Sequence, residues 1–305
     1  MKRFVNVFGK ELEVMTKGEH GFPIVILTGM GCAFDEWHEV SEKLSKANRV
    51  ILYHRPGIGR SELNEGKRNT EATVRELREL LDVLQITEPF VLLGHSYGGL
   101  CAQHFAKRYP NDVAALILID STSHDLDRLD TLDLPVMNDL SSDEDWLKQC
   151  QDYAERTETE LTELIQPTLA PNQSKLPVDV QAELKGFVCR PNLYKAMLAE
   201  VESWYDDARL IKRLGNLSTT PLYVIGRDAD FEVDRGKADG LPESELRILE
   251  GTWGQLIREQ TILSADSRLV IAEQASHAIH LDRPDVIISV VEECLSRLKP
   301  SRQFE

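Results

Sequence analysis

The chain has 305 residues, 42% apolar and 28% charged, enough to bury a full core as one large α/β domain or one domain with an insertion. Its 35 basic and 51 acidic side chains leave a formal charge of −16, a surface that repels phosphate backbones and anionic lipid and argues against nucleic acid as a partner. No stretch reaches 18 consecutive apolar residues, so membrane insertion is not expected. The five cysteines (Cys32, Cys101, Cys150, Cys189 and Cys294) are odd in number and lack CxxC spacing. That pattern fits free thiols in a reducing compartment and not a disulfide framework or a zinc site. The N-terminus begins basic but has no apolar core of signal-peptide length, so a cytoplasmic location is expected.

In chain order, residues 4–8 and 11–15 read as an antiparallel hairpin around Gly9-Lys10. Short apolar runs follow at 24–27, 50–53, 90–93, 114–119, 222–225 and 269–272. Near-continuous runs of this length suit strands buried on both faces of a parallel sheet. The intervening segments carry helical periodicity. Residues 70–85 place Val74, Leu77, Leu80, Leu81 and Leu84 on one face. A helix over 100–108 follows the third buried run, and one over 286–298 closes the chain after Pro284. Alternation of this kind predicts a doubly wound, mostly parallel α/β sheet.

The alternation breaks over 122–220, a stretch with helical patterns at 143–165, 177–188 and 192–214. The expected organisation is a core of residues 1–121 and 221–305 with a helical insertion at 122–220. Such an insertion packs over the C-terminal edge of the sheet, where ligands bind in this architecture. Trp146, Tyr153, Trp204 and Tyr205 are its candidate pocket-lining aromatics, although aromatics on such helices are more often core.

Gly94-His95-Ser96-Tyr97-Gly98 is a G-x-S-x-G motif with an apolar run before it and a helical pattern after it. A sharp strand-to-helix turn would strain the serine backbone and lift its hydroxyl clear of the sheet. Side chains at the two glycines would clash with the strand and the helix. The unpaired N–H groups of the following helix would face a developing oxyanion. His95 is expected to point away from Ser96 and to serve in packing.

This stretch resembles the nucleophile elbow of the α/β-hydrolase superfamily, and three other segments resemble that family in the same order. The run from Pro23 through Thr28-Gly29-Met30-Gly31, with Trp37 beyond it, is similar to the family's oxyanion strand, with Thr28 where histidine is usual. The resemblance implies the backbone N–H groups of Met30 and Tyr97 as oxyanion donors. His54-Arg55-Pro56-Gly57-Ile58-Gly59-Arg60-Ser61 resembles a supporting loop whose first residue is usually aspartate. Ala275-Ser276-His277 resembles the catalytic-histidine loop, implying His277 as base, with His280 packed beneath it.

The acid stays open. The family places it in the turn after the strand ending near Ile225, where Gly226-Arg227-Asp228-Ala229-Asp230 offers Asp228, weakly favoured, or Asp230. Asp120, at the end of Leu116-Ile117-Leu118-Ile119, is a third candidate, read first as a turn or cap residue. The order serine, acid, histidine matches this fold and not the chymotrypsin or subtilisin orders.

The resemblance therefore implies a serine hydrolase acting on a small-molecule acyl substrate through an acyl-enzyme, with ester hydrolysis first and no metal or organic cofactor required. Two alternatives stay open: a ligand-binding or sensor protein with little turnover, and a cofactor-free lyase or haloperoxidase-like enzyme using the same residues. The natural substrate and the oligomeric state are not legible in the sequence.

Overall fold

The computed structural model describes residues 1–140 and 142–298. Eight strands form one sheet in the order β1-β2-β4-β3-β5-β6-β7-β8. β1 (Lys2–Val7) and β2 (Lys10–Lys17) are the expected hairpin, and β2 also runs antiparallel to β4 (Arg49–Tyr53). β3 (Pro23–Leu27), β5 (Phe90–His95), β6 (Val113–Ile119), β7 (Leu222–Arg227) and β8 (Ser267–Ala272) continue the sheet in parallel. The apolar runs at the centre of the sheet are buried because helices cover both faces.

One face packs against α2 (Thr70–Val83) and α3 (Tyr97–Arg108), joined by Ile211 and Ile257 from later helices. The other packs against α1 (His38–Leu44) and α13 (Pro284–Leu298), with Ile279 from the short α12 (Ile279–Asp282). Asn69 caps α2 by accepting from the Ala72 N–H.

Strand order reverses where β3 separates β4 from β5. The C-terminal ends of β3 and β5 therefore open a crevice between diverging connections, the place where ligands bind in open α/β sheets. The loop after β3 and the G-x-S-x-G turn after β5 both lie there.

Between β6 and β7 the described residues form helices only: α4 (Pro135–Leu140), α5 (Asp143–Glu155), α6 (Glu158–Ile165), α7 (Val178–Phe187), α8 (Pro191–Val201) and α9 (Trp204–Arg213), with two 3₁₀ turns. Two of the expected helical stretches each hold two helices. The capping box of Thr157 and Glu160 starts α6 afresh, and the chain breaks again at Glu202-Ser203 before α9. Val180, Leu184 and Phe187 of α7 with Leu193 and Ala196 of α8 pack on Ala33 and Ile58, from the loops after β3 and β4.

Among the described residues no helix is long and apolar enough to cross a membrane.

The attachment of α9 carries a pH dependence. Asp207 is buried, and its Oδ2 accepts the Thr70 N–H at 2.8 Å, at the positive end of α2. Burial outweighs that bond and raises the Asp207 pKa to about 6, against about 3.9 in an unfolded chain. Between those values the folded state holds the extra proton, so this group's stabilisation is complete below about pH 4 and is lost as pH rises through about 6. Denaturant titrations from pH 4 to 7.5 are expected to show wild-type stability falling over that window relative to Asp207→Asn, whose side chain carries no charge.

Candidate active site

Ser96 sits at the junction of β5 and α3 with φ 53° and ψ −125°, a strained conformation for a residue with a side chain. The turn tolerates no bulk on either side. A Cβ at Gly94 would lie 2.6 Å from the Gly98 carbonyl oxygen, and one at Gly98 would lie 2.4 Å from that of Leu27. The strand end is tied to β6 by the Ser96 N–H to the Ile119 carbonyl at 3.2 Å, and by the Thr122 N–H to the Ser96 carbonyl at 3.1 Å. Tyr97 opens α3, so its N–H has no acceptor within the helix. The loop after β3 comes up beside the turn: a Cβ at Gly29 would lie 3.2 Å from Ser96 Cβ. Met30 follows Gly29 in that loop, and Tyr97 follows Ser96.

Arg55 holds this loop from beneath. Its guanidinium donates to the Thr28 carbonyl at 2.7 Å and to the Gly29 carbonyl at 3.1 Å. It also forks onto Glu200 of α8 at 2.6 and 3.0 Å, and both side chains are buried. His54, standing where the family has aspartate, stacks on Phe34 with ring centres 3.7 Å apart. Its Nε2 accepts the Phe34 N–H at 2.9 Å, which leaves the proton on Nδ1 to donate to Glu13 at 2.8 Å. His54 is therefore a neutral ring; burial lowers its pKa against the pull of Glu13. Burial would raise the Glu13 carboxyl, but His54 and the Arg60 N–H hold it at about 2.

His277 lies in the loop after β8, with its side chain 39% exposed while its partner carboxylate is fully buried. That partner is Asp120: Nδ1 lies 2.6 Å from Asp120 Oδ2. Asp120 sits just beyond β6 with φ 38°, a left-handed conformation that aspartate tolerates, and its N–H is tied to the Ile225 carbonyl of β7. Burial would raise the Asp120 pKa. The Arg227 charge and bonds from His277 and Trp253 carry it instead well below the usual carboxylate range. Facing an ionised carboxylate, His277 carries its proton on Nδ1 and leaves the Nε2 lone pair free.

The expectation that Asp228 or Asp230 turns toward His277 is corrected here. Asp228 caps the helix α10 (Ala229–Ala238): its Oδ1 accepts the N–H groups of Asp230 and Phe231, and its Oδ2 accepts that of Gln274. Asp230 lies on the surface against Arg247. A carboxylate at a helix N-terminus satisfies orphan donors first, which takes Asp228 away from the imidazole.

His95 is buried as expected and also makes a specific bond. Its Nε2 donates to the His277 carbonyl at 2.9 Å, and burial, with His277 and His280 close by, drives its pKa well below the ordinary histidine value. His280 packs beneath, stacked on Trp37 at 4.6 Å.

Three contributors escaped the sequence reading: Arg227, Trp253 and Glu250. Trp253 and Glu250 lie on α11 (Glu243–Glu259), a helix to which no motif pointed. An arginine ending an otherwise apolar strand was the one available signal.

Of the aromatics on the helices between β6 and β7, Trp146, Trp204 and Tyr205 line a cleft of about 820 Å³ between α5, α8 and α9, with Leu147 and Leu198. Tyr153 instead packs edge-on against Tyr194. Among the described residues no three histidine, cysteine or acidic side chains come together as a metal site.

The family model for the α/β hydrolase fold matches residues 23–184. The chain belongs to the α/β-hydrolase family. An AB hydrolase superfamily protein of Gibberella zeae is 24% identical over 291 residues, spanning 88% of this chain and 85% of that protein. YbdG and YqjL of Bacillus subtilis are 30% and 29% identical over 118 and 104 residues, which are 38% and 34% of this chain. These alignments span only 36% and 41% of those two proteins. Among solved structures, the enol-lactonase of Burkholderia xenovorans superposes with a TM-score of 0.64 at 21% identity, over 96% of this chain and all of that one. A thermophilic esterase of Thermogutta terrifontis does so with a TM-score of 0.64 at 20% identity, over 98% of this chain and all of that one. These structures share the fold.

Proposed function

We propose that the protein is a serine hydrolase that cleaves a small carboxylic ester through an acyl-enzyme on Ser96. The observation that carries this reading is the 2.6 Å bond between His277 Nδ1 and a buried, ionised Asp120, on a loop anchored through His95, the residue before Ser96. That bond fixes the tautomer a general base needs. Ser96 Oγ attacks the acyl carbon while His277 Nε2 takes its proton. The negative charge that develops on the carbonyl oxygen is met by the N–H groups of Met30 and Tyr97. The intermediate collapses, the alcohol leaves with the proton from His277, and Ser96 holds the acyl group. Water then repeats the cycle with His277 as base and releases the carboxylic acid. Asp120 stays ionised and orients the ring throughout. The helices between β6 and β7 act as a cap in this reading, since α7 and α8 pack over the loops after β3 and β4.

The test is labelling with a fluorophosphonate probe, followed by a panel of acyl esters. Wild type is expected to label and to turn over esters. Ser96→Ala and His277→Ala are expected to lose both, with kcat down by about 10⁵-fold or more. Folded wild-type protein that neither labels nor hydrolyses would reject the reading in favour of a binding protein on this fold.

A further inference from the structure

Asp120 accepts four donors, and His277 supplies only one of them. Trp253 Nε1 donates to Oδ1 at 2.9 Å, and the Arg227 backbone N–H donates to the same oxygen at 3.2 Å. The Arg227 guanidinium donates to Oδ2 at 3.1 Å, on the oxygen that faces His277. The Arg227 guanidinium also forks onto Glu250 at 2.7 and 2.8 Å, and lies 4.4 Å from the centre of the Trp253 ring. That ring stands edge-on to His277, with centres 5.7 Å apart and planes at 88°. β7 and α11 thus deliver one cation and one indole to the carboxylate, with one anion behind the cation.

We infer that Arg227 and Trp253 are positioning residues for the His277–Asp120 pair: Trp253 fixes the rotation of the carboxylate, and Arg227 limits how strongly Asp120 holds a proton on His277. This rests on the proposed hydrolase reading for its catalytic meaning, though not for its test. An anion in contact with an imidazole favours the charged ring. A cation bonded to the same carboxylate oxygen offsets part of that field. Glu250 neutralises part of Arg227 from the other side, so the size of the offset depends on the pair. The other groups facing His277 are Glu232 of α10, which accepts its backbone N–H at 2.8 Å and pairs with Arg235, and His95 of β5, against whose ring His280 of α12 packs in turn. Asp228 lies next along, bonded to Gln274 of the same loop. None of these contacts the Asp120 oxygens among the described bonds, although the Arg227 charge also reaches Glu232.

The experiment is NMR titration of the His277 ring, assigned by its absence in His277→Gln. Arg227→Gln is expected to raise the titration midpoint by about one pH unit, and Arg227→Lys to restore it most of the way. Glu250→Gln, which frees the Arg227 charge, is expected to move the midpoint in the opposite direction, and carries the test should Arg227→Gln fail to fold. In an active enzyme the acidic limb of the kcat/KM profile is expected to follow these midpoints. Midpoints unmoved in folded Arg227→Gln and Glu250→Gln would overturn the inference and leave the pair a structural brace. The ring titration needs no turnover. Absence of Ser96-dependent labelling would therefore sink the hydrolase reading without touching this result.

Discussion

Asp120→Asn is expected to lower kcat by about 10⁴-fold with the protein still folded, while Asp228→Asn leaves kcat within about tenfold of wild type. The difference follows from what each carboxylate accepts. All four groups on Asp120 are donors: His277 Nδ1, Trp253 Nε1, and the side chain and backbone of Arg227. An asparagine offers one oxygen to that set and sets its NH₂ against donors. If the oxygen keeps Trp253 and the Arg227 N–H, the NH₂ faces His277, and the ring must move its proton to Nε2, where it can no longer act as base. If the oxygen turns to His277 instead, two buried donors are left facing the NH₂, at a cost of about 1–3 kcal/mol each. Asp228 serves as a helix cap and a brace for Gln274, so its loss is expected as about 0.5–2 kcal/mol of stability. Steady-state kinetics and denaturant unfolding on both variants separate the two carboxylates. An inactive Asp228→Asn beside an active Asp120→Asn would return the acid to the turn after β7.

Why the sequence pointed directly to Ser96 and only third to Asp120 has a physical answer. The elbow is a local object. One strained residue needs two glycines within a few positions, a strand before it and a helix after it, and all of these are written contiguously. The hairpin and the buried strands are legible for the same reason, since periodicity and turn chemistry act over a few residues. Which carboxylate reaches His277 is instead a matter of tertiary geometry, decided between β6 and β7. Asp120 ends its strand in a left-handed turn that aims it at the neighbouring loop, while Asp228 is taken by the first turn of α10. Neither choice leaves a local mark. The surroundings of Asp120 are less legible still, because Trp253 and Glu250 come from a helix more than 120 residues away in sequence. The breaks within the helical stretches at 143–165 and 192–214 are hidden for another reason. The periodic pattern runs through both breaks, and only the Thr157 capping box marks the first in sequence terms.

Glu200→Ala is expected to cost about 3–5 kcal/mol of stability, because it strands a buried guanidinium with no counter-charge. The same change should reach the chemistry. Among the described residues Arg55 is the one side chain bonded at once to α8 and to the carbonyls of Thr28 and Gly29, and the next backbone N–H is that of Met30. Freed from Glu200, the guanidinium has reason to turn toward other acceptors or water and to release the two carbonyls. The loop then no longer presents its N–H at a fixed distance from Ser96, and a lost oxyanion donor lowers kcat by about 10²–10³-fold. Stability and chemistry can be separated with Arg55→Met combined with Glu200→Met. Replacing both members of a buried pair by apolar groups is often close to neutral for stability, yet it removes both ties to the carbonyls. The double variant is therefore expected to unfold near wild-type denaturant concentrations while its kcat stays depressed. Recovery of kcat together with stability would mean that the loop after β3 holds its shape without Arg55, and that the pair serves only to dock α8. Persistent loss of kcat in the stable double variant would make the Arg55 fork the means by which α8 sets the geometry beside Ser96.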